Sequence, residues 1–261
     1  SSVPLVHIDV TPPHQLQAPV LPPGQVVQCV YQHNWDQNGV LYFLGRMAAV
    51  AALQQGQFPA GQDQEWVNPG MAGMVRVHCG DGGYKGYDLE TWDVPLAKEL
   101  VIDRQEVPGA SFFGDGYFIV ELGPNFQLRP LSYTLRNGGG TVSACITGWV
   151  LEGSQSVEGP WHTLDHHGCT GNRLPMAIHQ CCLFNDAAKD TPMDEWPHHS
   201  FSFPIEQGEI VEVAGEHHPT PGHNNCGFRV FRVRLLQNRM DTNTMYIQGL
   251  ELYGDLFVPN M

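Results

Sequence analysis

"FRVFRVRLLQ" (228–237) is the stretch that decides the fold class. Apolar and charged residues alternate along it, so a β-strand would place Phe231 and Val233 on one face and Arg232 and Arg234 on the other. Three arginines in one apolar stretch are notable, because the chain has only 13 lysines and arginines against 27 acidic residues. The stretch could form a ligand-binding stripe, a nucleic-acid contact or part of the scaffold.

Short segments of the same kind continue on both sides of this stretch. Turn residues separate them, and Gly (29) and Pro (20) are abundant, as is typical of a sandwich or barrel of short strands. Trp149 and Trp161 are large enough to anchor a sandwich core. The strand candidates are 39–45 (a strand or short element), 73–79, 117–123, 131–137, 145–154, 161–167, 199–205, 208–215, 228–237 and 245–254, and the best helix candidate is 44–56.

Charge and cysteine content exclude several classes of function. A net charge of −14 offers no electrostatic footprint for a phosphate backbone, so we expect neither nucleic-acid binding nor attachment to anionic membranes. Seven cysteines at scattered spacing do not form the pattern of a secreted disulfide framework. No signal-peptide pattern and no membrane-spanning run is visible. We therefore expect an intracellular, cytoplasmic protein, with a cilium or the cytoskeleton as compatible locations.

The first 30 residues have a different composition from the rest. The segment "TPPHQLQAPVLPPGQ" within them carries five prolines, which favour an extended chain and cannot build a core of their own. We interpret residues 1–30 as an extended Pro-rich arm and residues 31–257 as one large domain.

Four blocks of this domain resemble a known family. They are "DQNGVLYFLG" (36–45) with "EWVNP" (65–69), "SFFGDGYFIVELGPN" (111–125), the region 131–164 with "GWVLEGSQ" and "GPWHTL", and 228–254 ending in "IQGLELYG". In this order they resemble the discoidin-like (coagulation factor type C) domain. The opening motif is most similar to the intracellular branch of HECT-type ubiquitin ligases and plant BTB-domain proteins. Residues 166–200 match poorly and are interpreted as an insertion.

The resemblance implies an all-β jelly-roll sandwich of the galactose-binding-like kind, with one short helix. Members of the family are mostly recognition modules, which hold glycans, lipids or proteins by loops at one end of the sandwich. Intracellular relatives serve as substrate-recruiting or assembly domains. No loop code for one ligand is recognisable in this sequence, so no ligand-binding residue carries over from the family.

Metal sites are weak candidates. Histidines and cysteines cluster at 165–169, 179–182 and 216–226, and these are zinc ligands, but their spacing lacks the usual paired pattern. The alternative is polar loop histidines and small buried cysteines. Oxygen ligands near Asp36, Asn38 and Asp115 could hold calcium, although no twelve-residue calcium loop is visible. We expect no resident cofactor.

Six side chains are candidates for a binding surface. Trp and Arg are enriched among the residues that dominate protein interfaces. The alternative for the tryptophans is burial under folded-back loops, since Trp is highly buried on average. For the arginines it is pairing with a carboxylate on an adjacent strand, such as Glu121, Glu152 or Glu251, and a scaffold role is favoured. The candidates are Trp35, Trp66, Trp92, Trp196, Arg232 and Arg234.

The favoured function is a non-catalytic protein-interaction module within a larger intracellular assembly, such as a ubiquitin-ligase-like scaffold or a cytoskeletal or ciliary complex. A glycan-binding, lectin-like module is the first alternative. A hydrolase on a jelly-roll scaffold ranks last, because the chain carries no nucleophile elbow and no metalloprotease motif.

Overall fold

The protein folds as two antiparallel β-sheets packed face to face. The computed structural model describes residues 21–56, 65–80, 84–88, 98–104, 109–137, 146–167, 200–205, 227–238 and 243–259. Within these residues one sheet has six strands in the order β3-β4-β11-β6-β9, with β1 pairing β11, and the other has five in the order β2-β5-β10-β7-β8. Apart from β3–β4 and β7–β8, the neighbouring strands are not consecutive in the chain, and the predicted jelly-roll β-sandwich is confirmed.

Eleven strands, one α-helix and one 3-10 helix make up the described part of the chain. The β-strands are β1 Val26–Cys29, β2 Val75–Cys79, β3 Tyr84–Asp88, β4 Gly109–Phe113, β5 Tyr117–Leu122, β6 Gln127–Asn137, β7 Ile146–Ser154, β8 His162–His167, β9 Ser200–Pro204, β10 Val230–Asn238 and β11 Met245–Phe257; the α-helix, α1, is Val40–Gln54 and the 3-10 helix is Lys98–Ile102.

The core lies between the sheets and follows from strand alternation. In β10, Phe231 and Val233 are fully buried, as their place on the apolar face predicts. Trp149 of β7 packs edge-on against Phe203 of β9 in the other sheet, with ring centroids 5.1 Å apart. Trp149 therefore anchors the core as predicted, and the outward-facing residues of β10 and its neighbours are left for other roles.

The helix departs from the sequence prediction at its start. Residues 39–45 are not a strand, because α1 already begins at Val40, four residues before the predicted start of the helix at 44. Gly39 is the N-cap but supplies no side-chain hydrogen bond. The apolar run resembles a strand in sequence because α1 is buried on several sides, so its apolar residues are not confined to one helical stripe.

Three short strands were not expected from the sequence. β1 lies within the segment interpreted as an arm and pairs with the end of β11, matching Val26 with Phe257. β3 and β4 pair with each other, and β4 joins the start of β11. The predicted strand at 208–215 and most of the predicted insertion at 166–200 lie outside the described residues.

No helix in the described residues is long and apolar enough to cross a bilayer.

Candidate functional site

The outer face of the five-stranded sheet, meaning the side chains of β2, β5, β10, β7 and β8 that point away from the core, carries the predicted arginines. Arg232 donates from Nε to Oε2 of Glu152 on β7 at 2.6 Å, and its side chain is only 19% exposed. Register explains the contact, because Arg232 and Glu152 are direct cross-strand partners. The predicted pairing of this arginine with a carboxylate on an adjacent strand is therefore found.

Arg232 also stacks on aromatic rings. Its guanidinium carbon lies 4.2 Å from the ring centroid of Trp161 and 5.8 Å from that of Tyr117 on β5. Trp161 is half-buried and lies just before β8, so the expectation that it anchors the core is wrong. Its indole instead covers the Arg232–Glu152 ion pair on the outer face. Cation–π attraction between the ring and the guanidinium is stronger there because the guanidinium is partly removed from water.

Arg234 is the more available of the two predicted arginines. It shares the carboxylate of Glu152, at 3.4 Å from Nη2 to Oε1, but its side chain is 40% exposed. A long, half-exposed ion pair of this kind contributes little to stability. Arg234 therefore keeps hydrogen-bonding capacity that an external group could use, whereas Arg232 is committed to the scaffold.

A second charged group lies on the same face, towards β2. Glu121 of β5 contacts His78 at 3.0 Å and Arg229 at 3.6 Å, so one carboxylate serves two basic side chains. Arg76 stands opposite Glu121 in the β2–β5 register and is exposed. The alternation of β2 already placed Arg76 and His78 together on one face, but only the strand order joins them to β10.

The outer face is locally basic in an acidic protein. Among the described residues, four arginines lie on it or at its end, against the carboxyls of Glu121, Glu152 and the nearby Glu158, in a chain with 13 lysines and arginines in total. Glu158 is exposed in the β7–β8 connection, and its hydrogen bond with the Ser156 hydroxyl lowers its pKa. The four arginines of this face are Arg76, Arg229, Arg232 and Arg234.

A cleft of about 390 Å³ opens at the end of this face, beside the β5–β6 turn. Arg76, Glu121 and Arg229 bring charge to it, and Asn125 brings an amide. The rest of its lining comes from Gly73, Met74, Leu122, Gly123, Pro124 and Phe126. A cleft of this volume is within the range that holds a small ligand or a pair of side chains.

The motif "DQNGVLYFLG" (36–45) forms a different centre, at the start of α1. The carboxylate of Glu251 on β11 accepts hydrogen bonds from the backbone N–H groups of Leu41 (2.8 Å) and Tyr42 (3.1 Å). It takes the place of an N-cap side chain, which Gly39 lacks. Burial raises the pKa of Glu251 to about 7, against the lowering effect of these hydrogen bonds and of Arg104.

Asp36 and Arg104 complete this centre. The Asp36 carboxylate accepts from the backbone N–H groups of Gln32, His33 and Asn38, at 2.7, 3.2 and 2.8 Å. Arg104 donates to the Asp36 carbonyl at 2.8 Å. The motif therefore has a structural role, because each of these polar contacts holds a loop or the start of the helix in place.

The motif "EWVNP" (65–69) also acts on the scaffold. Oδ1 of Asn68 accepts from the N–H of Gly70 at 2.9 Å, and its Nδ2 donates to the Glu99 carbonyl at 3.0 Å. Trp66 packs on the helix at Gly45, where an added Cβ would lie only 2.0 Å from the indole nitrogen. Gly45 is therefore required by the close approach of this ring.

The structure locates two of the four predicted tryptophans. Trp35 is half-buried, with the Arg136 guanidinium 4.0 Å from its ring centroid. Trp66 is half-buried on α1. Neither of them lies with Arg232 and Arg234 on the outer face. Trp92 and Trp196 lie outside the described residues.

The candidate metal ligands that are described do not converge. No group of three or more His, Cys, Asp or Glu side chains within the described ranges could hold a metal ion. Asp165 and His167 pair at 2.6 Å, and Asp165 also accepts from the Tyr133 hydroxyl at 2.7 Å. Asp36, a calcium candidate, is buried and already accepts three backbone hydrogen bonds. The clusters at 179–182 and 216–226 lie wholly outside the described residues.

Comparison with known proteins finds ubiquitin ligases among the sequence relatives. The chain is 26% identical over 144 residues to the E3 ubiquitin-protein ligase Ufd4 of Drosophila melanogaster, and 25% identical over 135 residues to the E3 ubiquitin-protein ligase hecd-1 of Caenorhabditis elegans. These alignments cover 53% and 50% of this chain but only 4% of each ligase. No protein-family model matches the chain.

Solved structures with a similar arrangement include the first CBM32 domain of a family 31 glycoside hydrolase from Clostridium perfringens, at 8% identity, covering 69% of this chain and 93% of that domain with a TM-score of 0.40. The F5/8 type C domain of a Bacteroides fragilis protein matches at 13% identity, covering 66% and 90% of the two chains with a TM-score of 0.35. Ubiquitin ligases, which the opening sequence motif resembled, are thus found again among the sequence relatives.

Proposed function

We propose that this chain is a non-catalytic protein-recognition module, and that the outer face of the five-stranded sheet is its contact surface. The observation that carries the proposal is the layer formed by Trp161, Arg232 and Tyr117, with Arg234 half-exposed beside it. Trp, Tyr and Arg are the side chains most enriched at interface hot spots. Glu152 holds this layer in place before any partner arrives, which lowers the entropy cost of binding.

The larger setting is part of the proposal. Two of the sequence relatives are E3 ubiquitin-protein ligases, and this chain matches a small part of each. A recognition domain carried by a ligase-like scaffold inside the cell fits that pattern and the low lysine content of the chain, which has three lysines. A cytoskeletal or ciliary assembly is the other setting compatible with the same role.

The test is affinity capture with matched variants. The immobilised chain is incubated with a cytosolic extract, and the retained proteins are compared with those held by Trp161→Ala and Arg234→Ala. We expect both changes to remove the same partner, while Arg46→Ala, an exposed arginine on α1, leaves it bound. Thermal unfolding of each variant checks that the fold persists. A chain that captures nothing dependent on Trp161 or Arg234 contradicts the proposal.

A glycan-binding module is the second candidate. Its support is the half-buried Trp161 indole beside two arginines and a carboxylate, a set of groups that could also contact a sugar. This reading predicts saturable binding on a glycan array that weakens when Trp161 is replaced by Ala. If no glycan on the array binds while protein capture depends on Trp161, the outer face binds a protein partner rather than a glycan.

A further inference from the structure

The cleft at the end of the outer face has an excess of positive charge. Arg76 and Arg229 both line it, whereas Glu121 is the one carboxylate among the described residues of its lining. That carboxylate is already shared, at 3.0 Å from His78 and 3.6 Å from Arg229. Arg76 is exposed and forms no ion pair with any described residue. One guanidinium in the cleft is therefore free to take an anionic group.

The second guanidinium also has unused capacity. The backbone of Arg229 is fixed between two strands, since its carbonyl accepts from Leu122 at 2.9 Å and its N–H donates to Ser154 at 3.1 Å. Its Nε is buried and has no hydrogen-bond partner among the described residues. The Arg229 side chain as a whole is 31% exposed and lines the cleft, so it is accessible to an anionic group placed there. The anchored backbone keeps the guanidinium at the cleft without a ligand.

The floor of the cleft is apolar. Met74, Leu122 and Phe126 line it and are at most 5% exposed, so these side chains are packed into the core beneath it. Pro124 adds an exposed apolar edge. Within the part of the chain that the structure describes, the polar side chains of the lining are the two arginines, Glu121 and Asn125. The cleft thus offers a cationic wall and an apolar floor within the space of one or two side chains.

We propose that this cleft binds a carboxylate of the protein partner that lies next to an apolar side chain. A C-terminal apolar residue with its free carboxylate has this chemistry, and so does an internal acidic residue followed by an apolar one. Guanidinium groups recognise carboxylates through paired, charge-assisted hydrogen bonds. A sugar carrying a carboxylate fits less well, because its ring hydroxyls would face Met74, Leu122 and Phe126 without hydrogen-bond partners. This inference rests on the proposed function, since it assumes a protein partner.

The test uses three short peptides with the 261-residue chain. The first is acetyl-Gly-Ser-Gly-Ser-Leu with a free C-terminal carboxylate, and the second is the same peptide ending in an amide. The third is acetyl-Gly-Ser-Glu-Leu-Gly-Ser amide, in which the acid is internal. Binding is followed by two-dimensional amide NMR. We expect the first or the third peptide to shift signals of residues 122–126 with half-saturation near or below about 1 mM, and the second to leave them unchanged.

Variants connect the binding to the cleft. Arg76→Gln should weaken it about tenfold, the loss of one charge-assisted contact, while the matched change Arg46→Gln on α1 leaves it unchanged. Arg76 is exposed and unpaired among the described residues, so its replacement should preserve the fold. A comparison of the first and third peptides identifies which source of carboxylate the cleft prefers.

Three results would overturn the inference. They are the absence of shifts with all three peptides, equal binding of the amide peptide, and binding that Arg76→Gln does not weaken. Galacturonic acid serves as the sugar probe, and shifts at 122–126 with it alone would reassign the cleft to an acidic glycan. If protein capture depends on Trp161 while the peptides do not bind, the inference fails and the proposed function stands. If neither occurs, both fail.

Discussion

At the scale of single residues, Arg232 shows how a scaffold side chain can support an aromatic ring at the surface. Its guanidinium joins Glu152 at 2.6 Å and supports the Trp161 ring. We expect Arg232→Ala to lower the free energy of unfolding by about 1.5–3 kcal/mol, the range for a hydrogen bond to a charged group. Urea unfolding measures this, with Arg46→Ala as the control that should stay within about 0.5 kcal/mol of the parent.

The order of effects distinguishes the two roles of Arg232. If Arg232 is a scaffold residue, its replacement should lower the stability of the protein before it weakens partner binding. The Arg232→Ala chain should therefore still capture the partner at low temperature, where it remains folded. Lost capture with unchanged stability would assign Arg232 to direct contact instead.

Gly45 gives a second prediction at this scale, in which a glycine-to-alanine change in a helix lowers the stability of the protein instead of raising it. Replacing glycine by alanine inside a helix normally stabilises it by about 1 kcal/mol. Here the new methyl group would lie 2.0 Å from the Trp66 nitrogen, so Gly45→Ala should destabilise the protein by about 1–3 kcal/mol. Adding Trp66→Leu should relieve much of that loss, which a double-mutant cycle by thermal or urea unfolding would reveal. Additive losses would show that the ring is not the obstacle.

Sequence reasoning succeeds for residues whose role depends on local pattern. The alternation in 228–237 predicted the outward arginines and their pairing with a carboxylate of a neighbouring strand. It could not identify the Trp161 contact, because the position of an indole just before a strand depends on the loop path. It also could not join Arg76 to Arg229, since that requires the order β2-β5-β10, which no single segment encodes.

At the scale of elements, the start of α1 depends on a distant strand. Glu251 lies 210 residues beyond Leu41 and supplies the cap that the local sequence lacks. This is why the prediction began the helix at 44 rather than at Val40. Helix starts are predicted from nearby Ser, Thr, Asp or Asn, and a carboxylate on another element leaves no such signal.

The capping carboxyl makes stability depend on pH. Glu251 has a pKa of about 7 in the folded protein, raised by burial from an ordinary 4.5. The proton therefore favours the folded state, so this contribution is fully present below pH 4.5 and is lost as pH rises through 7. Urea unfolding at pH 5 and pH 8 should show a larger fall for the parent chain than for Glu251→Gln.

A matched control isolates this effect. Glu158 is exposed and has a lowered pKa, so it is ionised at both pH values, and Glu158→Gln should keep the pH dependence of the parent. The same fall from pH 5 to pH 8 in the parent and in Glu251→Gln would exclude Glu251 as its source.

At the scale of the whole molecule, β1 ties the start of the described chain to its end. Cys29 is 3% exposed, and burial raises the pKa of its thiol to about 12, so it belongs to the core. A chain that begins at Leu21 should therefore be more stable than one that begins at Tyr31. We expect a difference of about 2 kcal/mol, or about 4–8 °C in Tm by calorimetry. Equal Tm values would mean that β1 adds nothing to the sandwich.

The many short alternating strands between glycines and prolines predicted a sandwich or barrel, and the resemblance of four sequence blocks to the discoidin-like domain implied the jelly roll. The boundary between arm and domain at residue 30 is harder to predict. Composition changes gradually there, whereas the pairing of Val26–Cys29 with β11 depends on a strand more than 200 residues away.

The pairing of β1 with β11 also fixes how the domain would hang in a longer polypeptide. Val26 and Phe257 are cross-strand partners, so their Cα atoms are about 5 Å apart. Phe257 also pairs with Gln127, next to the Phe126 that lines the cleft. In a longer polypeptide, the segments before β1 and after β11 would thus join the domain side by side. A ligand bound in the cleft would therefore lie close to the point at which the flanking segments join the domain.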